Sequence, residues 1–499
     1  MRSLMILLAW LWALAPLAAE AREPDAVIAG QISRADHQTY RELTFQVPPG
    51  VRRLTVEFDY EGRDQKTVID LGLLGPDGFR GWSGGTRRGF TVSAEEASPG
   101  YLPGPISPGR WAVLIGVPNI REGQGARYEA RVFLDRQGPA AGFADAPLKD
   151  GPAWYRGDLH MHTAHSDGAC LSQSGAKVPC PVYRTVEAAA ARGLDFIAIT
   201  DHNTTSQFEA MRELQPAFDR LLLIPGREIT TFQGHANVFG PTGYIDFRLG
   251  EGGGLAARDL QDAVERAGGL LSINHPGLPS GELCMGCGWT ASDVDYDRVQ
   301  AVEVVNGGTI ASTRSAEGPL QGIAFWQARL NEGHRITAIG GSDNHDAGLG
   351  LERPGAIGRP TTVVHARALS TPDLLAAIRA GRVFIDVQGS GERRLDLSAR
   401  AGGAGAVMGG DLAAPAGERV RLAVEVADVP GGRVELIVDG ARDAALSAAL
   451  SMEAHQTLAF DLAGDGARHW VRADVRDAQG RLVLIGNPIY LNWPKPLGG

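Results

Sequence analysis

Hydrophobic positions along the chain follow two different periods, and the change between them divides the sequence into zones. From 25 to 137, short runs such as RELTFQV (41–47) and ARYEARVFL (126–134) alternate apolar and polar residues between turns rich in Gly, Pro and Asp. The segment 392–494 has the same texture, as in RVRLAVEVADV (419–429). Alternation with a period of two is typical of half-buried strands. The pattern predicts an N-terminal β-sandwich at 25–137 and a C-terminal β-sandwich at 392–494.

The middle zone, 154–388, has a different pattern. Short, wholly apolar runs such as FIAIT (196–200) alternate with amphipathic stretches such as RDLQDAVERAG (258–268). Alternating strands and helices predict an α/β domain with a parallel sheet, and the length of this zone favours a barrel over an open sheet. A stretch rich in Pro, Gly and Ala at 136–153 and GSGE at 389–392 predict the two linkers.

Composition and the first residues bear on the compartment. The 499 residues are 43% hydrophobic and 21% charged with a net charge of −10, which excludes a disordered chain and argues against duplex nucleic acid as a partner. Arg2, an apolar run at 4–14 and small residues up to Ala21 predict a cleaved signal peptide at 1–21, with cleavage after Ala19 or an uncleaved anchor as the alternatives. We therefore expect an exported, periplasmic or secreted protein with no transmembrane span after cleavage.

Histidines and carboxylates gather where the apolar strands of the middle zone end. They lie in GDLHMHTAHSDG (157–168), ITDHNTT (199–205), PGREITTFQGHANVFG (225–240), INHPG (273–277) and GGSDNHD (340–346). Imidazole and carboxylate donors without thiolate suit Zn²⁺, Mn²⁺ or Fe²⁺, and their number is too large for one ion, so two or three divalent cations are predicted. The candidate ligands are His160, His162, Asp167, His202, Glu228, His235, His275, Asp343 and His345.

Hydrolysis is the chemistry that such a cluster of cations performs best, because closely spaced cations hold a bridging hydroxide and the oxygens of an ester under attack. The middle zone carries no G-x-S-x-G, P-loop or dinucleotide-binding motif that would favour a serine hydrolase, an NTPase or a dehydrogenase. The expected partner is a small-molecule ester, and the sequence leaves the oligomeric state open. An alternative is a surface protein that binds glycan or polymer and carries a degenerate barrel.

In this order, the strings DLHMHTAHSDG, TDHN, GRE, NHP and SDNH resemble the motifs of PHP (polymerase and histidinol phosphatase) metallohydrolases. The export signal and the flanking β-domains resemble those of the CehA/McbA-type branch of this family, and NPIYL (487–491) shows a weaker resemblance. The resemblance implies a distorted (β/α)7 TIM-like barrel with a trinuclear site. It also implies a phosphoesterase that uses a metal-bridging hydroxide as nucleophile, with carbamate or amide hydrolysis on the same centre as the alternative.

The resemblance further distributes the ligands among three cations. The first would be held by His160, His162, Glu228 and Asp343, the second by Glu228, His235 and His275, and the third by Asp167, His202 and His345. His165 falls outside the usual ligand positions, so we expect it to face substrate as a catalytic residue that protonates the leaving group, a role that a metal-bound water could also take.

A phosphate substrate calls for a fixed cationic side chain. Arg227 stands next to Glu228 and is a candidate for both catalysis and substrate binding. Arg314, after the apolar run AVEVVN, and Lys177 are further candidates for substrate binding, and for each of the three an ordinary salt bridge is the alternative.

Four cysteines, Cys170, Cys180, Cys284 and Cys287, lie in two loops that follow the first and fourth of these motifs. In an exported chain they are predicted to form disulfides, with a four-cysteine zinc site and free thiols as alternatives. Three pairings are open, and we favour Cys170–Cys180 with Cys284–Cys287, which would staple each loop separately.

Overall fold

The structure, a computed structural model, describes residues 22–493 apart from residue 86, residues 137–142, 144–145, 251–253 and 282–283, and residue 285. The chain divides into two compact units, Met1–Gly138 and Pro139–Gly499. The predicted signal peptide lies outside the described residues. Within them, no helix has the length and apolar character needed to span a membrane.

The first unit is built from two antiparallel four-stranded sheets, with strand orders β1-β8-β3-β6 and β2-β7-β4-β5. Buried and exposed positions alternate strictly through most of β8, as the sequence pattern requires of a strand with one face on the core. Leu54, Ile69 and Val113 are among its fully buried residues. The strands are β1 (Ala26–Ser33), β2 (Tyr40–Val47), β3 (Arg53–Tyr60), β4 (Val68–Gly75), β5 (Gly78–Gly84), β6 (Gly89–Ser93), β7 (Gly109–Asn119) and β8 (Gly125–Asp135), with a 3₁₀ turn at Arg34–Asp36.

The second unit begins with alternating strands and helices. Its strands β12 and β15 are buried at every position, which is why their sequences are continuously apolar. In chain order the elements are β9 (Lys149–Asp158), β10 (Ala169–Leu171), β11 (Lys177–Pro179), α1 (Val182–Ala191), β12 (Phe196–Ile199), α2 (Gln207–Leu214), β13 (Leu222–Thr231), β14 (Gly234–Phe239), α3 (Ala257–Arg266), β15 (Leu270–Ile273), β16 (Ala301–Asn306), α4 (Gly307–Thr313), α5 (Ile323–Glu332), β17 (Thr337–Gly341), β18 (Thr361–Leu369), α6 (Thr371–Arg379) and β19 (Val383–Asp386), with 3₁₀ turns at Gln215–Ala217 and Tyr296–Arg298.

Seven of these strands lie side by side in the order β9-β12-β13-β14-β15-β16-β17. Residues just beyond β9 and β17 bring the two ends of the row together, because Met161 forms a parallel bridge with Asn344. The predicted (β/α)7 TIM-like barrel is not confirmed, however. β14 runs antiparallel to both of its neighbours, and it follows β13 through a tight turn in which Thr231 Oγ1 bonds to Gln233 and Gly234 instead of through a helix.

The same sheet continues from β9 through β18 and β19 into the C-terminal strands, where β19 pairs with β28. The linker predicted at 389–392 therefore does not divide the sheet. A second sheet, β21-β20-β23-β26, supplies Leu397 and Leu422 to a core shared with Val471 and Val483. These strands are β20 (Arg394–Ala401), β21 (Ala404–Val407), β22 (Asp411–Leu412), β23 (Arg419–Ala427), β24 (Arg433–Val438), β25 (Ala441–Ala449), β26 (His455–Ala463), β27 (His469–Arg476), β28 (Leu482–Gly486) and β29 (Ile489–Leu491).

Asn487, in the string NPIYL, ties the C-terminal strands to β17 and β19. Its Oδ1 accepts from the Ala338 N–H (2.7 Å), and its Nδ2 donates to the carbonyls of Ala338 (3.0 Å) and Val383 (2.8 Å). The side chain is buried, so no water replaces these bonds if they are lost. The amide thus completes the hydrogen bonding of β17 where the regular ladder stops.

We expect Asn487→Ala to lower the free energy of unfolding of the second unit by about 2–4 kcal/mol, because it leaves three buried backbone groups without their partner. Equilibrium denaturation measures the loss. Gln479→Ala, which removes an exposed amide from the turn before β28, is the matched control and should change stability by no more than about 0.5 kcal/mol. Equal effects of the two substitutions would contradict this role for Asn487.

Candidate metal centre

The loops that follow β9, β12, β15 and β17, together with β13 and β14, bring all nine predicted ligand residues into one cluster. Their donor atoms form overlapping groups in which every member lies within 4.8 Å of the others. Exposure increases outward through the cluster. The Glu228 side chain is 1% exposed at its base, whereas Asp167 is 58% exposed at its mouth. The site therefore combines a buried floor with a rim that solvent and substrate can reach.

Glu228, on β13, lies at the centre of the cluster. Its Oε1 is 3.3 Å from both His160 Nε2 and His235 Nδ1 and 3.4 Å from His275 Nε2. Its Oε2 is 2.8 Å from His202 Nδ1 and 3.7 Å from His162 Nε2. Since the two carboxylate oxygens face different sets of imidazoles, Glu228 is placed to bridge two cations.

The buried ring of His160 lies between the carboxylates of Glu228 and Asp343. His160 Nε2 is 3.2 Å from Asp343 Oδ1, is buried and has no hydrogen-bond partner among the described residues. A buried imidazole nitrogen directed at two carboxylates, without a hydrogen bond of its own, is the arrangement expected of a metal ligand. The donor set therefore fits a divalent cation at this position.

Glu303 completes the floor of the site, and the sequence patterns did not single it out. Its Oε1 is 3.1 Å from His160 Nδ1, and its Oε2 accepts from the backbone N–H of His275 (3.0 Å) and from Asn306 Nδ2 (3.1 Å). A carboxylate behind a ligating histidine fixes the tautomer and orientation of the ring. The available signal was one acidic residue inside the apolar strand AVEVVN.

The outer group contains His162, Asp167, His202 and His345. Asp167 Oδ1 is 3.3 Å from His345 Nε2 and 3.6 Å from His202 Nε2. His162 and His345 stack with ring centroids 4.1 Å apart. This group contains the three residues assigned to the third cation by resemblance, and it adds His162.

Electrostatics in the cluster couple proton and cation binding. Burial alone would lower the pKa of His160 and His202, but the carboxylates around them prevail and raise the pKa of His202 to about 10 and that of His160 well above its usual value. Burial and the neighbouring imidazoles instead lower the pKa of His162 to about 4. Although burial opposes it, the imidazoles hold the pKa of Glu228 and Asp343 well below the usual range. Protons therefore occupy the positions that cations would take.

The structure contradicts the role predicted for Arg227. Its side chain is buried, and its guanidinium donates to the carbonyls of Pro241 (3.1 Å) and Gly243 beyond the end of β14. Side chains alternate along a strand, so Arg227 shares a face with Ile229, which packs in the core, while Glu228 points into the site. Arg227 fastens the chain behind the site instead of binding phosphate there.

Two other predicted substrate residues lie in distinct places. Arg314 is exposed at the end of α4, where it lines a cleft of about 450 Å³ with Arg359, Gln388 and Arg481, none of which belongs to the cluster, so its substrate role is not supported. Lys177 is exposed on the β10–β11 hairpin and remains a prediction.

The loop after β9 also carries His165, the predicted proton donor. His165 is exposed in this loop, with its Nδ1 2.7 Å from Ser206 Oγ, and its catalytic role stays a prediction. Asp201, which follows β12, accepts from the Thr163 N–H and from Ser166 Oγ. It therefore shapes the loop that carries Asp167.

The cysteines form the two favoured pairs, Cys170–Cys180 and Cys284–Cys287, with Cα–Cα distances of 4.9 and 5.6 Å. The prediction of disulfides is confirmed. The first bond joins β10 to the residue that directly follows β11. In the second bond, Cys287 is fully buried and its sulfur belongs to a donor group with His235 and His275.

Fold and site together define a mixed α/β protein whose clustered imidazoles and carboxylates suit divalent cations. No protein-family model matches the chain. An uncharacterized protein of Methanocaldococcus jannaschii is 29% identical over 150 residues, which are 29% of this chain and 80% of that protein. The function proposed below rests on the geometry of the site.

Solved structures with some similarity include a two-domain protein of Bacteroides vulgatus described as containing a predicted PHP-like metal-dependent phosphoesterase. The match has 18% identity, covers 70% of this chain and 99% of that chain, and has a TM-score of 0.38. A Bifidobacterium adolescentis protein, provisionally described as a metal-dependent phosphoesterase, matches at 17% identity over 44% of this chain and 94% of its own, with a TM-score of 0.28.

We expect Glu303→Gln to weaken cation binding by about 10–100-fold. The carboxylate holds the proton of His160 on Nδ1 and so leaves Nε2 free to bind a cation, and the amide does this less well. Titration of the chelator-treated protein with Mn²⁺ or Zn²⁺ measures the affinity. The control is Glu332→Gln at the exposed end of α5, which should bind as the unaltered protein does. Unchanged affinity in Glu303→Gln would remove its positioning role.

Cation binding should release protons at pH 7, since ligating imidazoles must be neutral while the pKa of His202 is raised to about 10. Affinity should therefore rise with pH. The raised imidazoles stabilise the metal-free protein fully below about pH 6.5, and this stabilisation is lost as pH rises through their folded-state pKa values. Calorimetry in buffers of different ionisation enthalpy counts the protons, and binding without proton release would refute the coupling.

Proposed function

We propose that this chain is an exported metal-dependent hydrolase related to the PHP superfamily, with phosphoric esters as its substrate class. The observation that carries the proposal is the position of Glu228, whose two oxygens face five imidazoles belonging to overlapping donor groups. Imidazole and carboxylate ligands suit Zn²⁺, Mn²⁺ or Fe²⁺. Cations bound there would polarise the ester and lower the pKa of water to give a nucleophile near neutral pH.

The protein's own groups position the reaction. Glu303 holds the ring of His160 from the side opposite the site, and Glu228 lies between the buried imidazoles. Nearer the rim, Thr230 Oγ1 lies 2.6 Å from His202 Nδ1 and orients that imidazole. Asp167 and His345 leave the outer group open to solvent, which gives an ester access from that side. We assign the transfer of a proton to the departing alkoxide to His165, which is exposed in the same loop with its Nδ1 2.7 Å from Ser206 Oγ.

Hydrolysis of a carbamate or amide is a second candidate, and the position of Arg227 favours it. A phosphate ester gains from a fixed guanidinium that binds its charged oxygens, whereas a neutral carbamate does not. Because Arg227 donates to two backbone carbonyls instead, the clamp expected for phosphate is absent at that residue. A purely glycan-binding role has less support, because the structure brings all nine predicted ligands together.

Export is proposed from the signal-like segment at 1–21, and the two disulfides suit an oxidising compartment. Recovery of the protein from the periplasm or medium, with its amino terminus at residue 20 or 22, tests this part of the proposal separately from the chemistry.

We expect Glu228→Gln to lose bound cation and to lower turnover by about a thousandfold or more, because the amide neither bridges cations nor neutralises their charge. Phosphomonoester, phosphodiester, carbamate and amide substrates are compared on the same preparation, with and without chelator. Glu265→Gln, an exposed substitution on α3, is the control. Turnover that survives both the chelator and Glu228→Gln would overturn the proposal, and preference for a carbamate or amide would select the second candidate.

A further inference from the structure

The Cys284–Cys287 disulfide lies against one part of the metal centre. The Cys287 sulfur and ring nitrogens of His235 and His275 all lie within 4.8 Å of one another, and all three residues are buried. Donors that share one tetrahedral Zn²⁺ are about 3.3–3.8 Å apart, given bonds of about 2.0–2.3 Å. Small movements would therefore bring the sulfur to the cation expected between these two histidines.

The loop that carries the disulfide is fastened to the hairpin that carries Glu228 and His235. The backbones of Gly281 and Cys284 exchange two hydrogen bonds, and the Thr290 N–H donates to the Gln233 carbonyl in the β13–β14 turn (2.8 Å). At Gly286, with φ of 79°, a Cβ would lie 2.1 Å from the Thr231 carbonyl, so the loop packs directly on the hairpin. The position of Cys287 beside the imidazoles is thus held from both sides.

We propose that reduction of this disulfide makes Cys287 an additional ligand of the cation held by His235 and His275, so that the metal centre changes its donor set with redox state. The inference rests on the metal centre proposed above. A disulfide sulfur is a poor donor, whereas a thiolate is among the strongest ligands for Zn²⁺. The same residues therefore offer two imidazoles in one state and two imidazoles with a thiolate in the other.

The exposure of the two sulfurs sets the direction of the reaction. Cys284 is half-buried and Cys287 is fully buried, so a dithiol reductant attacks Cys284. A bond forms between the reductant sulfur and Cys284, and the Cys284–Cys287 bond breaks with its electron pair leaving on Cys287. The second thiol of the reductant then displaces Cys284 as a thiol. Two electrons and two protons pass from the dithiol in total, and the Cys287 proton goes to solvent when the sulfur binds the cation.

This arrangement links metal choice to redox state. Thiolate favours Zn²⁺ and Co²⁺ over Mn²⁺, so the reduced protein should bind the softer ions more tightly. The coupling between cation binding and reduction is reciprocal. A bound softer cation therefore favours reduction of the Cys284–Cys287 bond by the same free energy with which reduction favours binding of that cation. Cys170 and Cys180 join no such donor group among the described residues, so their reduction should leave metal choice unchanged.

The test uses the full chain loaded with Co²⁺, because thiolate coordination gives Co²⁺ a charge-transfer absorption in the near ultraviolet that imidazole and carboxylate ligands do not. A phosphine is the reductant, since it adds no thiol of its own. The unaltered protein should show the absorption only after reduction. Cys284→Ser should show it without reductant, and Cys287→Ser should lack it in both states. A protein with both Cys170→Ser and Cys180→Ser is the matched control and should behave as the unaltered chain does.

The amount of bound cobalt is measured in every sample. This measurement distinguishes failure of the Cys287 ligand proposal from failure of the metal centre itself. Cobalt bound in equal amount with no absorption after reduction, or an absorption that persists in Cys287→Ser, overturns the ligand role and leaves the metal centre standing. Absence of bound cobalt from every sample overturns both. If Cys287→Ser does not fold, the unaltered protein and Cys284→Ser decide the question. Reduction should also tighten Zn²⁺ binding in the unaltered chain by about tenfold or more.

Discussion

A carboxylate buried among imidazoles, that of Glu228, is the constraint on which the second unit depends. A lone ionised carboxylate without exposure to water is costly, and it persists only where positive charge or cations surround it. Five imidazoles supply that surrounding, and they come from loops or strands that are distant in sequence. The parallel strands make this convergence possible because their carboxyl ends meet at one edge of the sheet.

The rest of the unit can be understood as support for this edge. The antiparallel strand β14 places His235 across from Thr230, so that one hairpin provides both the bridging carboxylate and one of its imidazoles. Glu303 holds the floor through His160 and His275, the second of which has a left-handed φ of 28° that the Glu303 hydrogen bond to its N–H helps to maintain. Asn487 joins the C-terminal strands to β17 by a hydrogen bond. The C-terminal strands belong to the same sheet as the strands of the site and therefore help to hold them in place.

The sequence predicted the ligand cluster better than it predicted the scaffold, for physical reasons. Each ligand follows a recognisable apolar strand or lies in a short motif near its end, so the rule that strand ends share an edge was enough to group them. Glu303 and Arg227 escaped that rule because strand periodicity does not tell which face points inward when both faces are buried. The reversal at β14 depends on a turn of two residues inside the motif PGREITTFQGHANVFG, and the burial of Cys287 depends on how its loop packs on that turn.

The most direct test of the central claim is an anomalous difference map from crystals of the full chain grown with Mn²⁺ or Zn²⁺. We expect at least two peaks in the cluster, each about 2.0–2.3 Å from its protein ligands, with oxygens of Glu228 bonded to two of them. A map with no peak within bonding distance of Glu228 would contradict the account, because the buried carboxylate would then be neutralised by protonated imidazoles alone.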